Sequence, residues 1–319
     1  MADKIGQPFL KWAGGKRQLL PELLARAPVK ISTFYEPMCG GAAFTFALLD
    51  RESPPERVVI NDSNMTLMDS FVVVRDRLDE LLEKLAAVET AYLSLGEADR
   101  SSFYYAQRAS EHKELIDRVV QFLFLNKTCF NGLYRVNKKG VFNVPHGRYK
   151  NPKIVNEGVL RTASHLLNRT EIFHGDYAEC LTDFSSNDFV YFDPPFEPLS
   201  VTSSFTSYNP GGFGRVEQIR LRSICDFLTD QEVKFLLSNS AHDYIRGYLT
   251  VLCGTTLYLK LMLEGLSTPI KQVDLRLKKF SFPTTDKACG SIGFFELMVQ
   301  GYLRLKRISL SFIFFVIYL

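Results

Sequence analysis

Four consecutive residues, Asp193, Pro194, Pro195 and Phe196, constrain this chain more than any others. They follow Val190, Tyr191 and Phe192, an apolar run that reads as a buried strand. Two prolines remove two backbone donors and fix φ, so a core strand cannot continue through them. The strand therefore ends at Phe192 and hands the chain to a rigid turn carrying one carboxylate and one ring. Such a turn suits the recognition of a flat aromatic amine, such as the base of a nucleotide.

Other segments share this design. Residues 33–44 (TFYEPMCGGAAF), 57–62 (RVVIND), 171–177 (EIFHGDY) and 233–240 (VKFLLSNS) each pair a short apolar run with a polar or glycine-rich turn. Helical spacing fills some of the intervals, for example Ile219, Ile224 and Phe227 within residues 216–228. Strands alternating with helices predict an α/β sheet of the doubly wound, Rossmann-like kind, with ligands at the carboxyl ends of the strands.

The rhythm breaks between residues 65 and 167. Leu78, Leu81, Leu82, Leu85 and Val88 form a helical stripe, and a second helical pattern spans residues 103–125. Residues 130–145 (FNGLYRVNKKGVFNVP) then read as two strand-like runs joined by Asn137-Lys138-Lys139-Gly140, a β-hairpin. The expected organisation is a first catalytic part (1–64), a mostly helical insertion carrying the hairpin (65–167), a second catalytic part (168–249) and a C-terminal segment (250–319).

Composition adds little beyond its distribution. The formal charge of +3 is too small to imply a nucleic-acid partner. Residues 126–161, however, hold eight Lys or Arg, among them Arg135, Lys138, Lys139 and Arg148, against the single acid Glu157. That clustering is either a solvated basic face or the footprint of phosphate binding. The six cysteines are scattered without a CxxC pair, so neither a metal site nor a disulfide framework is expected. No apolar run of signal-peptide type opens the chain, and a reduced cytoplasmic setting is the expectation.

Gly40 and Gly41 lie between a strand and a helical pattern, where small residues let the backbone approach a nucleotide or amino-acid moiety. Asp62 ends the next strand, in a position suited to ribose hydroxyls. A tight turn and a helix-capping aspartate would explain both equally well. Trp12, the only tryptophan, precedes Ala13-Gly14-Gly15-Lys16, a turn that presents a ring and an ammonium to one small volume.

Six blocks, KWAGGK, EPMCGGAAF, VIND, FNGLYR…GVFNVPHGRY, HGDY and DFVYFDPPF, stand in the order and spacing of one family. Over residues 8–248 the chain resembles the Dam family (D12 class) of adenine-N6 DNA methyltransferases. The resemblance implies S-adenosylmethionine as cofactor, held by Trp12, Lys16, Glu36, Gly40, Gly41, Asp62, Asp176 and Asp193. It makes Asp193, Pro194, Pro195 and Phe196 the catalytic motif. It also makes the insertion a target-recognition domain, with Lys11, Asn131, Leu133, Arg135, Lys138, Lys139 and Arg148 facing double-stranded DNA. The family suggests GATC as target, a monomer, no membrane partner, and a cognate restriction endonuclease as an optional companion. Family members usually carry an aromatic residue at Met38, glycine at Ala42 and tyrosine at Phe196.

The chemistry can be argued from the residues alone. An exocyclic amine is a poor nucleophile because its lone pair is delocalised into the ring. The Asp193 carboxylate and the Pro194 carbonyl can each accept one of its N–H bonds and favour a tetrahedral nitrogen. The Phe196 ring can stack on the base, which must first leave the duplex. Arg135 can take the edge of a guanine, whereas Lys138 and Lys139 suit phosphates. The same logic serves an N4-cytosine or RNA amino-methyltransferase, against which the hairpin argues. A DNA-binding protein without turnover is a third possibility. An oxidoreductase would explain the glycine turn but not residues 193–196.

Beyond about residue 248 the family's closing block, rich in serine, asparagine and glycine, is missing. The chain ends in ISLSFIFFVIYL, too short for a membrane span of about 20 residues. Two readings stay open for it: a core strand, or a tail from an altered reading frame. The second predicts an unpaired sheet edge and poor solubility relieved by deleting residues 308–319.

Overall fold

The computed structural model describes residues 6–12, 18–195 and 213–240, together with three short strand segments at 258–259, 275–276 and 314–318. The chain divides into two compact units that part company inside one strand, between Tyr191 and Phe192.

The first unit carries a parallel sheet. Its strands are β1 (Thr33–Glu36), β2 (Arg57–Asp62), β3 (Thr170–His174) and β4 (Phe189–Phe192), in the spatial order β3-β2-β1-β4. Thr33 to Glu36 pair with Arg57 to Ile60, Val58 to Asp62 with Thr170 to His174, and Phe34 and Tyr35 with Phe189 and Val190, all parallel. Every residue of β1 and β4 is buried; β4 (FVYF) reads as a continuous apolar run, whereas β1 (TFYE) takes Thr33 and Glu36 inside with Phe34 and Tyr35. The edge strand β3 is largely exposed. The order reverses between β1 and β4, so the chain turns outward from β1 in both directions. In an open α/β sheet that reversal opens a crevice at the carboxyl ends of the strands. The α/β class and parallel sheet expected from the sequence are therefore present.

Helices α1 (Leu20–Arg26) and α2 (Ala43–Leu49) flank β1 in sequence. Between β2 and β3 run α3 (Met65–Asp76), α4 (Leu78–Leu93), α5 (Glu97–Ala109), α6 (Leu115–Thr128) and α7 (Glu157–Leu167). Helix α3 packs on β2 and β3 and also on α6 and α7, so it joins the inserted helices to the sheet. The Asn64 side chain starts α3 by accepting the Leu67 N–H at 3.1 Å. The stripe on α4 buries Leu81, Leu82 and Leu85 as its spacing predicts.

The single helix expected over residues 103–125 is two helices, α5 and α6. Residues 110–114 (SEHKE) offer no apolar side chain to bury, and the Gln121 amide donates to the carbonyls of Gln107 and Ser110, closing the end of α5. The hairpin forms, but as a short one. Val136 and Phe142 make its antiparallel bridge, and Asn143 N–H donates to the Arg135 carbonyl at 3.0 Å. The Asn137 side chain accepts the N–H groups of Lys139 and Val141, and Gly140 supplies φ +77°.

The second unit contains α8 (Arg215–Asp230), β5 (Lys234–Ser240), β6 (Tyr258–Leu259), β7 (Leu275–Arg276) and β8 (Phe314–Tyr318). Helix α8 packs on β5, the Asn239 amide donates to Gln218 at 3.1 Å, and the Phe192 ring meets Phe235 edge-on at 6.3 Å. Strands β6 and β7 form an antiparallel pair. Strand β8 lies antiparallel on β5, from Leu236 opposite Tyr318 to Ser240 opposite Phe314. This corrects the expectation of an unpaired edge. A sheet edge accepts any extended run of high β-propensity, whatever family block is missing, and residues 314–318 supply one.

Candidate functional site

Three strand ends are tied together at the carboxyl edge of the first unit's sheet. Asn61, buried in β2, donates its amide to the Pro37 carbonyl beyond β1 at 2.9 Å and to the Gly175 carbonyl beyond β3 at 3.1 Å. Its own carbonyl accepts the Cys39 N–H at 2.9 Å. Asp62 follows. One carboxylate oxygen accepts the Gly40 N–H at 3.0 Å and the other the Asn64 N–H at 2.9 Å. Burial holds the Asp62 carboxyl above the usual carboxylate range, and the two backbone N–H bonds pull the other way. Each oxygen keeps lone pairs for a further donor, such as a hydroxyl.

The turn after β1 is shaped for close approach. Gly40 has φ +49°, and a Cβ there would sit 2.9 Å from the Trp12 ring. A Cβ on Gly41 would lie 3.2 Å from the Trp12 Cβ, so side chains at these positions would displace the indole. Ala42 follows in the left-handed region at φ 53°, a strained place for a non-glycine residue. Glu36 is buried beneath the turn. Its Oε2 accepts both the backbone N–H and the hydroxyl of Thr45 in the first turn of α2. Glu36 thus anchors the helix that follows the glycine turn.

Of the residues expected to hold the cofactor, Trp12, Gly40, Gly41 and Asp62 meet at one place, with Glu36 supporting them from below. Asp176 lies in the loop after β3, where its Oδ1 accepts the Ala178 N–H at 2.8 Å and the neighbouring Gly175 N–H reaches the Asp62 carbonyl. Lys16 and Phe196 fall outside the described residues. In the second unit, Asp193 is half-buried, Pro194 buried and Pro195 exposed directly after β4.

A second cluster gathers around the hairpin. Asn131 and Gly132 both have positive φ, 54° and 62°, and the Asn131 N–H donates to the Tyr149 hydroxyl at 2.9 Å. A Cβ on Gly132 would run into the Lys11 side chain, whose ammonium lies 4.8 Å from the Tyr149 ring centroid. Phe130, Leu133 and Val141 are large apolar side chains left exposed beside Lys11, Arg135, Lys138, Lys139 and Arg148, all exposed as well. Apolar wedges among cations suit a stacked polyanion better than bulk water does. The Arg135 guanidinium is steadied by Asn143, with Nε 2.7 Å from Oδ1.

Sequence reasoning missed Asn61, Asn143 and Asn126. Asn126 is buried, and its side chain accepts the Lys11 N–H at 2.8 Å and donates to the Lys11 carbonyl at 2.7 Å. An asparagine within an apolar run, as in "FLFLNKT", was the available signal. His146, ring-stacked on Tyr104 at 4.9 Å and bonded to the Tyr92 hydroxyl, is a packed histidine whose burial lowers its pKa. Among the described residues no group of three or more His, Cys, Asp or Glu is placed to hold a metal, and no helix is long and apolar enough to cross a membrane.

The sequence model of the D12 class N6 adenine-specific DNA methyltransferases matches residues 12–255. Type II methyltransferase M.MjaIII of Methanocaldococcus jannaschii is 46% identical over 244 residues, 73% of this chain and 84% of its own length. Type II methyltransferase M1.LlaDCHI of Lactococcus lactis subsp. cremoris is 40% identical over 242 residues, 74% and 81% of the two chains. The DNA adenine methylase of Escherichia coli K12 is 34% identical over 242 residues, 75% and 82% of the two.

Proposed function

The chain belongs to the D12 class of N6 adenine-specific DNA methyltransferases, and from that premise we propose that it methylates adenine flipped out of GATC, with S-adenosylmethionine as methyl donor. The observation that carries the cofactor assignment is the cradle at the β1 end, where Trp12 lies on Gly40 and Gly41 and Asp62 receives the Gly40 N–H. A side chain at either glycine would push the Trp12 indole out of that cradle, and the half-buried Asp62 carboxylate has acceptor capacity to spare. The residues present fit a nucleoside carrying an amino-acid tail. Trp12, Lys16, Gly40, Gly41, Asp62 and Asp176 would hold it, with Glu36 fixing the turn. When bound, S-adenosylmethionine supplies an electrophilic methyl group on a sulfonium.

The chain's own residues do the rest. Asp193 and the Pro194 carbonyl each accept one N–H of the adenine amine and hold its lone pair out of the ring plane. Pro194 has no N–H to leave unsatisfied, so the rigid turn costs little there. Pro195 fixes the direction in which the chain leaves, and Phe196 stacks on the extruded base. Stacking needs a ring and no hydroxyl. Phe196→Tyr should therefore change turnover by less than about tenfold, near 1.4 kcal/mol. Phe196→Ala should lose activity through poor capture of the base. A large gain for the tyrosine variant would show that a hydroxyl matters here.

On the DNA side, Arg135 takes the edge of a guanine while Asn131 and Leu133 enter the target site beside it. Lys138 and Lys139, at the exposed hairpin turn, meet phosphates together with Lys11 and Arg148. Arg135→Ala should weaken discrimination at one base pair by about 1–3 kcal/mol. Lys138→Ala should weaken all sequences alike and lower the salt slope by about one unit. Binding titrations on cognate and scrambled duplexes at several salt concentrations separate the two, and equal effects of both changes would refute this division of labour.

The proposed assembly is a monomer on double-stranded DNA, acting alone or beside a cognate restriction endonuclease. Its activity is tested by incubating duplex DNA with purified protein and S-adenosylmethionine, then digesting with a methylation-sensitive nuclease and analysing the nucleosides by mass. N6-methyladenine confined to GATC is the expected result. Methyl groups on cytosine N4 would sink the adenine assignment, and N6-methyladenine elsewhere would sink GATC alone.

A further inference from the structure

Tyr134 sits between two of the residues assigned to DNA, Leu133 and Arg135. Along the hairpin, Leu133 and Arg135 are exposed while Tyr134 between them is half-buried, as the alternation of an extended segment requires. Its ring turns inward and meets three others. Phe122 of α6 lies 5.8 Å away at 79°, Phe142 of the opposite hairpin run 5.8 Å away at 55°, and Trp12 5.3 Å away at 30°. Trp12 is the residue that lies on Gly40 and Gly41.

The backbone on the N-terminal side of Trp12 is already fixed. Asn126 grips both polar groups of Lys11, and the Lys127 ammonium donates to the Phe9 carbonyl at 2.5 Å. A fixed backbone does not fix an indole, which still has two side-chain torsions. Glycines on one side cannot hold the ring, because they present no side chain. Tyr134, its centroid 5.3 Å from the indole, is an aromatic side chain that can.

We infer that Tyr134 is a positioning residue of the cofactor site: standing on the target-reading hairpin, it holds the Trp12 indole against the glycine turn of β1. The inference rests on the proposed role of Trp12 in the cofactor site. It means that one three-residue run, Leu133 to Arg135, serves DNA with its outer side chains and the cofactor with its inner one. What the position requires is an aromatic ring, not a hydroxyl.

Trp12 is the only tryptophan in the chain, so its fluorescence reports this contact directly. Wild type, Tyr134→Phe, Tyr134→Leu and Tyr134→Ala are compared by emission spectrum, by calorimetric titration with S-adenosylhomocysteine, and by kcat and KM on a cognate duplex. In the alanine and leucine variants the emission should move to longer wavelength as the indole gains water. Their affinity for S-adenosylhomocysteine should fall about three- to tenfold, the equivalent of one aromatic pair. The cofactor KM should rise with it while kcat changes little, and Tyr134→Phe should match wild type in every measure. Should the alanine variant fail to fold, the leucine variant carries the same comparison. Unchanged emission and affinity in the leucine variant would overturn the inference, and so would a phenylalanine variant as weak as the leucine one. A wild type that binds no S-adenosylhomocysteine would overturn the cofactor assignment itself, and this inference with it.

Discussion

Asp193→Ala should reduce methyl transfer by about 10²–10³-fold, the usual loss when one preorganised polar group at a reacting centre is removed. The carboxylate is assigned to accept an N–H of the adenine amine, and alanine offers no acceptor. Position matters as much as chemistry. Asp193 directly follows Phe192, whose ring is fixed against Phe235, and it precedes the buried Pro194. Strand and proline together limit where the carboxylate can point. The loss should therefore appear in single-turnover kinetics, while the melting temperature and the affinity for cognate duplex stay near those of wild type. Asp193→Asn, which keeps one acceptor oxygen but not the charge, should fall between alanine and wild type. Turnover within tenfold of wild type in the alanine variant would remove Asp193 from the chemistry.

Deleting residues 308–319 should leave most of the protein insoluble, the reverse of what an altered-reading-frame tail predicts. Strand β5 carries Phe235, Leu236 and Leu237, all fully buried, and its edge is paired to β8 over five residues. Each backbone hydrogen bond is worth about 0.5–1.5 kcal/mol net, and total stability of a domain is only about 5–15 kcal/mol. Losing the strand removes several bonds at once and bares an edge next to an apolar core, a template for aggregation. Soluble fraction and thermal midpoint of the full and shortened chains decide the matter. A shortened protein that is more soluble and equally stable would mean that β8 is dispensable, and the reading-frame explanation of the tail would return.

The difference between the two expectations for the tail shows where local reasoning fails. The run FFVIY is apolar and β-prone whether it is a core strand or an accident, so its composition could not distinguish the two. Only the open edge of β5, about eighty residues earlier in the chain, gives it a partner. The helical pattern over residues 103–125 failed for a related reason. Apolar spacing on either side suggests one helix, but residues 110–114 are all polar and leave nothing to bury, and Gln121 closes the end of α5 instead.

What the sequence by itself determined were features that need few residues to specify. The buried strands β1, β2 and β4 hold short apolar runs stopped by glycine, acid or proline, and the Asn137–Gly140 turn follows from asparagine and glycine chemistry. The family resemblance rested on the same short blocks. What only the tertiary structure decided were the contacts that assemble those blocks into a site. Asn126 holds Lys11 across 115 positions, and Asn61 joins the loop after β1 to the loop after β3, from Pro37 to Gly175. Trp12 and Tyr134 meet across more than a hundred. A buried asparagine looks the same in a sequence as an exposed one. The physical reason is that its hydrogen bonds go to backbone groups, which every residue carries and no side-chain pattern reveals.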